Sequence, residues 1–131
     1  MIRWLALALV VSGPAAAQDA DPAAGRDSFL QFCATCHGTD AAGAGPTATV
    51  MAISPPDLTT LAADNGGRFP VARVVARIDG RDPVLAHGTP MPVFGPFFEG
   101  ADAALKTESG QPVMTSRPIV DLVAWLRTIQ R

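Results

Sequence analysis

Tyrosine is missing from this chain, and large side chains of any kind are sparse: two tryptophans and six phenylalanines among 131 residues. A core assembled from these alone would be thin, and a single small domain built on it only marginally stable. Charge is also scarce, with 10 Lys+Arg against 12 Asp+Glu and a formal net charge of −2. So mild an acidity, with no basic cluster, excludes a nucleic-acid-binding surface. Arg73 and Arg77 stand one turn apart, but such a pair reads as a solvated helix face. Stable membrane insertion is excluded as well, because the apolar run Trp4–Val11 falls far short of the roughly 20 residues a spanning helix needs. Cysteine and histidine are scarce too, two of each. Three of those four side chains nevertheless fall within five residues, Cys33-Ala-Thr-Cys36-His37.

What is abundant is punctuation. Twelve glycines and twelve prolines describe a loop-rich chain in which short helices are separated by irregular segments. At the N-terminus, Arg3 precedes the apolar run, Ser12-Gly13-Pro14 breaks it, and Ala15, Ala16 and Ala17 follow. This is the three-part build of a secretory signal peptide. Residues 1–17 are therefore expected to be removed, leaving one domain over 18–131 in an exported, periplasmic protein.

Three helices are expected in that domain. The first is capped by Asp21, has Pro22 at its first position, and runs through Gly25, Phe29 and Phe32 into the cysteine motif. The second begins near Pro70, carries Val71, Val74, Val75 and Ile78 on one face, and stops at Gly80. The third has Ser116 as cap and Pro118 in its first turn. Ile119, Leu122, Val123, Leu126 and Ile129 follow at helical spacing, with Arg127 and Arg131 at the negative end of the dipole. No stretch alternates in the manner of a half-buried strand, so an all-α fold is expected.

On a helix, positions 33, 36 and 37 project from one face within a single turn. Two thiols and an imidazole so arranged suit covalent capture of haem, with each thiol adding across a vinyl group and the histidine binding the iron. Other chemistries fit less well. A disulfide between near neighbours closes a loop too short to stabilise much. A thioredoxin-like redox pair needs a preceding strand and a βαβ context. Zinc needs a fourth ligand, and His87 lies 50 residues beyond His37. A haem would also supply the missing core.

From Gly25 to Gln130 the chain resembles the monohaem class I cytochromes c of the bacterial periplasm. The resemblance rests on a helix leading into C-x-x-C-H, the loop GAGP (43–46), the segment PPDL (55–58), a short middle helix, the methionine loop HGTPMPVFG (87–95) and the last helix, IVDLVAWLRTI. It implies a small helical fold wrapped around one covalent haem c, with long Gly/Pro-rich loops. Cys33 and Cys36 would form the thioethers and His37 would be the proximal ligand. Pro46 matches the loop proline whose carbonyl accepts a hydrogen bond from that imidazole. Gly25 and Phe29 match the positions at which the first helix crosses the last, where Trp125 supplies an aromatic. Residues 97–115 form a longer segment than the shortest members carry, and a strong lysine ring is absent.

Several side chains compete for the sixth coordination position. Met91 stands between Pro90 and Pro92, a restricted backbone that can hold a thioether at a set distance from iron, and it is the expected ligand. Met51, only 14 residues after His37, reads as packing; Met114 reads as a loop residue or partial cover, and His87 as a loop-bracing residue. His/Met ligation raises the reduction potential and leaves no vacancy for oxygen. The expected role is thus a one-electron carrier rather than an enzyme, exchanging electrons with redox partner proteins. Two alternatives stand beside it: an electron-transfer subunit of a larger periplasmic dehydrogenase or oxidase, and a haem enzyme or gas sensor with a labile sixth ligand.

Overall fold

A computed structural model describes residues 19–81, 91–92 and 94–131. The expected signal segment 1–17 lies outside these, as do His87 and Pro90. In chain order the described elements are α1 (Pro22–Phe32), α2 (Ala34–His37), α3 (Val71–Asp79), β1 (Ala103–Lys106), β2 (Pro112–Thr115) and α4 (Arg117–Thr128), with 3-10 turns at Ala48–Val50, Ala63–Asn65 and Gly95–Phe97.

The first helix starts where the sequence says it should. The Asp21 carboxylate accepts from the N–H groups of Ala23 and Ala24 at 2.9 and 3.3 Å, and Pro22 has no N–H to satisfy. Its far end breaks at Cys33, so the cysteine motif forms a separate one-turn helix rather than a continuation. The α1 helix crosses α4 at Gly25, where a Cβ would stand 2.0 Å from the Asp121 carbonyl oxygen and 2.8 Å from the Leu122 nitrogen. Only glycine permits this approach. One turn further on, Phe29 meets Trp125 with ring centroids 4.5 Å apart. Phe29 is 1% exposed, and burial of a phenylalanine to that extent stabilises by roughly 2–3 kcal/mol. Asp121 ties the same crossing together: its carboxylate accepts from Asp21 N at 2.8 Å and from Arg117 Nε at 3.1 Å.

The α3 helix buries Val71, Val75 and Ile78 and ends at Gly80 in the left-handed conformation. These side chains join Phe29, Phe98, Ile119, Leu122, Val123, Trp125 and Leu126 in one core. The C-terminus closes over it. Gln130 accepts from Ala62 N at 2.9 Å and donates to the carbonyls of Leu58 and Leu126, both at 2.8 Å, while Arg131 N donates to Thr59 O at 3.0 Å.

Two findings depart from the sequence expectation. The segment 97–115 contains an antiparallel hairpin, β1 paired with β2 in the register Ala104 to Met114 and Leu105 to Val113. Strands of four residues are too short for alternation to stand out from loop. Ser116 does occupy the N-cap position of α4, but its hydroxyl makes no capping bond and is buried without a hydrogen-bond partner, as is that of Thr115.

Candidate functional site

The motif turn is held rigid by hydrogen bonding to its own sequel. A helix leaves its last four carbonyls without intrahelical partners, and in α2 those are the carbonyls of Ala34, Thr35, Cys36 and His37. The following loop satisfies all four: Gly38 N bonds Ala34 O at 2.9 Å, Thr47 N bonds Thr35 O at 3.1 Å, Gly45 N bonds Cys36 O at 3.0 Å, and Gly43 N bonds His37 O at 2.8 Å. The Thr47 hydroxyl adds a second bond to Thr35 O at 2.9 Å and lies 3.3 Å from Cys36 Sγ. Small residues throughout Gly38–Gly45 let the backbone lie this close. A four-residue helix has little stability of its own, so this loop is what fixes the relative directions of the two thiols and the imidazole.

His37 is 7% exposed, and its Nδ1 faces the carbonyl of Pro56 at 3.4 Å. A carbonyl only accepts, so Nδ1 is the protonated nitrogen and Nε2 keeps a lone pair for a metal. Burial lowers the imidazole's pKa, an effect partly opposed by the Pro56 bond, and both tautomer and charge suit a neutral ligand. The resemblance assigned this acceptor role to Pro46. The carbonyl within reach is instead that of Pro56, the second proline of PPDL. Leu58 N donates to Ala41 O at 2.8 Å, which draws the PPDL segment back over the motif. The pairing of this segment with Ala41 is long-range and has no local signature in the sequence.

Cys33 and Cys36 are free, half-buried thiols. Burial, with a smaller contribution from Cys36, pushes the Cys33 thiol up to about 11. A redox-active pair needs the opposite, a thiol lowered so that thiolate is present at neutral pH. This argues against the thioredoxin-like alternative on physical grounds.

The methionines differ in their surroundings. Met91 is half-buried and packs against the same apolar core as Cys33, Leu30, Phe32 and Phe94. Met51 is half-buried and outside that cluster. Met114 lies on β2 and is 50% exposed. Around the site's aromatic side, Phe32 meets Phe98 edge-on at 5.4 Å and Phe97 at 6.2 Å, and Phe94 lies 6.0 Å from Phe97. Val50 and Ile53, on the loop beyond Thr47, are 83% and 63% exposed, bulky aliphatic surface beside the motif.

A helix pair crossing at a glycine, a rigid C-x-x-C-H turn and a histidine with its metal-binding nitrogen free define a haem-attachment domain. The family model Cytochrome c matches residues 22–130, and the chain belongs to that family. Neither the curated proteins nor the solved structures contain a match. Membership brings a covalently bound haem c with its iron, a role in haem-based electron transfer and redox partner proteins. The residues present fit that group: two unlinked thiols on one turn, an imidazole in the ligating tautomer, a core-packed thioether and exposed aliphatic surface. Among the described residues no helix is long and apolar enough to cross a membrane.

Proposed function

We propose that the protein is a periplasmic one-electron carrier, exported by the segment 1–17, in which Cys33 and Cys36 hold the haem and His37 and Met91 ligate its iron. The observation that carries this reading is the hydrogen bonding of His37. Nδ1 is committed to Pro56 O at 3.4 Å while the loop 38–47 satisfies every carbonyl of the motif turn. The imidazole is thereby oriented before any iron arrives, so little ligand-ordering entropy opposes coordination. Met91 is supported by its packing on the core shared with Cys33, and by Pro92 beside it. Two protein ligands leave no open position for oxygen chemistry, and a thioether favours ferrous iron. Surface charge contributes little to partner steering: the full chain's net charge of −2 becomes only −3 when Arg3 leaves with residues 1–17, and exposed charges are screened within about 10 Å at 0.1 M salt.

Met91→Ala tests the assignment. It should lower the reduction potential and let carbon monoxide bind the ferrous protein, which the parent binds poorly; Met51→Ala and Met114→Ala should do neither. A parent protein that binds carbon monoxide readily and turns over peroxide would replace the carrier by a haem enzyme or sensor. Intact-mass measurement checks processing: one haem on a chain beginning at Gln18 is expected, and retention of residues 1–17 refutes the export reading.

A further inference from the structure

The hairpin is fastened to both ends of α3 by arginines that donate to hairpin carbonyls. At the N-terminal end, Arg68 Nη2 donates to Glu108 O at 2.5 Å. At the C-terminal end, Arg81 Nη2 donates to Met114 O at 2.8 Å, and Asp79 steadies the guanidinium by accepting from its Nε at 2.8 Å and from its Nη2. Chemically the two fastenings are alike. They differ in where they stand relative to Met91.

Arg81 is the first residue after Gly80, at which α3 stops. The chain is back at the same helix end by Phe94, whose N–H donates to Ile78 O at 2.9 Å. Gly95 then packs on the Asp79 carbonyl, where an added Cβ would sit 2.6 Å from the oxygen. Arg81 on one side of Met91 and Phe94 with Gly95 on the other thus meet the same end of α3, and Arg81 ties that end to the hairpin. That element is anchored in turn, because β2 runs through Ser116 directly into α4, whose inner face is core.

We propose that Arg81 is a positioning residue for Met91: by binding Asp79 and Met114 O together, it fixes the foot of the methionine segment on the hairpin and so holds the thioether on the iron. The proposal rests on Met91 being the sixth ligand. An intramolecular ligand competes with an external one in proportion to how strongly the protein favours the arrangement that presents it. Loss of the tie therefore appears as easier displacement of the thioether.

The experiment titrates imidazole into the ferric holoprotein and follows the charge-transfer absorption of thioether-ligated iron. Arg81 is half exposed, with 51% of its side chain accessible, so its charged hydrogen bonds count for less than buried ones; about fivefold tighter imidazole binding is expected in Arg81→Ala. Arg68→Ala removes the matching bond at the other end of α3 and should leave imidazole affinity at the parent value. Arg81→Lys keeps a charge beside Asp79 but not the planar fork that reaches both acceptors, and should fall between. Unchanged affinity in Arg81→Ala overturns the proposal, and so does an equal rise in Arg68→Ala, which would mean general loosening. Should Arg81→Ala yield no holoprotein, Arg81→Lys decides by the same criterion. A parent protein without the thioether absorption, binding imidazole as readily as Met91→Ala, refutes the ligand assignment and the proposal with it. A parent with that absorption and an unaffected Arg81→Ala refutes the positioning role alone.

Discussion

Replacing Gly25 by alanine should destabilise this protein although alanine is the better helix former. The added methyl would begin 2.0 Å from the Asp121 carbonyl oxygen and 2.4 Å from its carbon, and both are backbone atoms of a helix that cannot give locally. The helices must part by roughly 1.4 Å before the oxygen reaches an ordinary 3.4 Å contact. At that separation the 2.8 Å bond from Asp21 N to the Asp121 carboxylate and the 4.5 Å Phe29–Trp125 contact are both compromised. Overpacking of this kind costs about 1–3 kcal/mol. The weakened hydrogen bond adds about 1 kcal/mol, and loosened ring packing adds about 1 kcal/mol. Against these stands a gain of about 1 kcal/mol from helix propensity. The net is a loss of about 2–4 kcal/mol, a large share of a small domain's total stability. Guanidinium unfolding of the holoprotein, followed by far-ultraviolet circular dichroism, measures it. An unchanged or raised midpoint at constant slope would refute the argument that the crossing is steric.

Gln130→Ala removes two hydrogen bonds that join the C-terminus to the 58–62 loop and a third that returns to Leu126 O in α4; a loss of about 1–3 kcal/mol is expected, and hydrogen exchange at the Ala62 amide should accelerate by more than exchange in α1. Equal acceleration everywhere would show that Gln130 acts on global rather than local stability. The Asp57 carboxyl is held below its ordinary value of 3.8, first by the Thr59 hydroxyl and backbone N–H and then by Arg131. A lowered folded-state value means the carboxylate's contribution is complete above the unfolded value and is lost as pH falls through the folded one. The stability difference between the parent and Asp57→Asn should therefore be constant near neutrality and shrink below pH 3.8. A difference that grows on acidification contradicts the sign.

Helices were legible here to the extent that their determinants are local. Asp21 with Pro22, the Val71/Val75/Ile78 face with Gly80, and the spacing from Ile119 to Leu126 each carry cap or periodicity within a dozen residues. All three helices form close to where those signals put them. The hairpin is different. Its strands, Ala103–Lys106 and Pro112–Thr115, hold no β-branched run, and β1 gains its place by pairing with β2 while the whole is pinned by Arg68 and Arg81, which flank α3 some 30 residues upstream. Ser116 illustrates the limit within a single residue. Its backbone caps α4 as its identity implies, yet its side chain is turned inward, a choice made by tertiary packing.

The site divides along the same line. C-x-x-C-H is a local motif, so its spacing alone brings Cys33, Cys36 and His37 to one turn and its cap. The carbonyl that faces the imidazole comes from a distant loop, Pro56 rather than the nearer Pro46 that the resemblance implies. Pro46 precedes Thr47, whose backbone and hydroxyl are already committed to Thr35 O, so that part of the loop is spent on capping the motif turn. Pro56 is free to face His37 because Ala41 accepts from Leu58 two residues later. Two tasks, closing the turn and orienting the imidazole, thus fall to two successive loop segments rather than one. Had a single loop done both, relaxing it would disturb the thiols and the imidazole together. With the tasks separated, the tautomer of His37 depends on the Ala41–Leu58 bond, while the thiol directions depend on Gly43, Gly45 and Thr47. The chain has few large side chains to make its centre rigid, and in their place backbone hydrogen bonds from a glycine-rich loop hold the C-x-x-C-H turn in position.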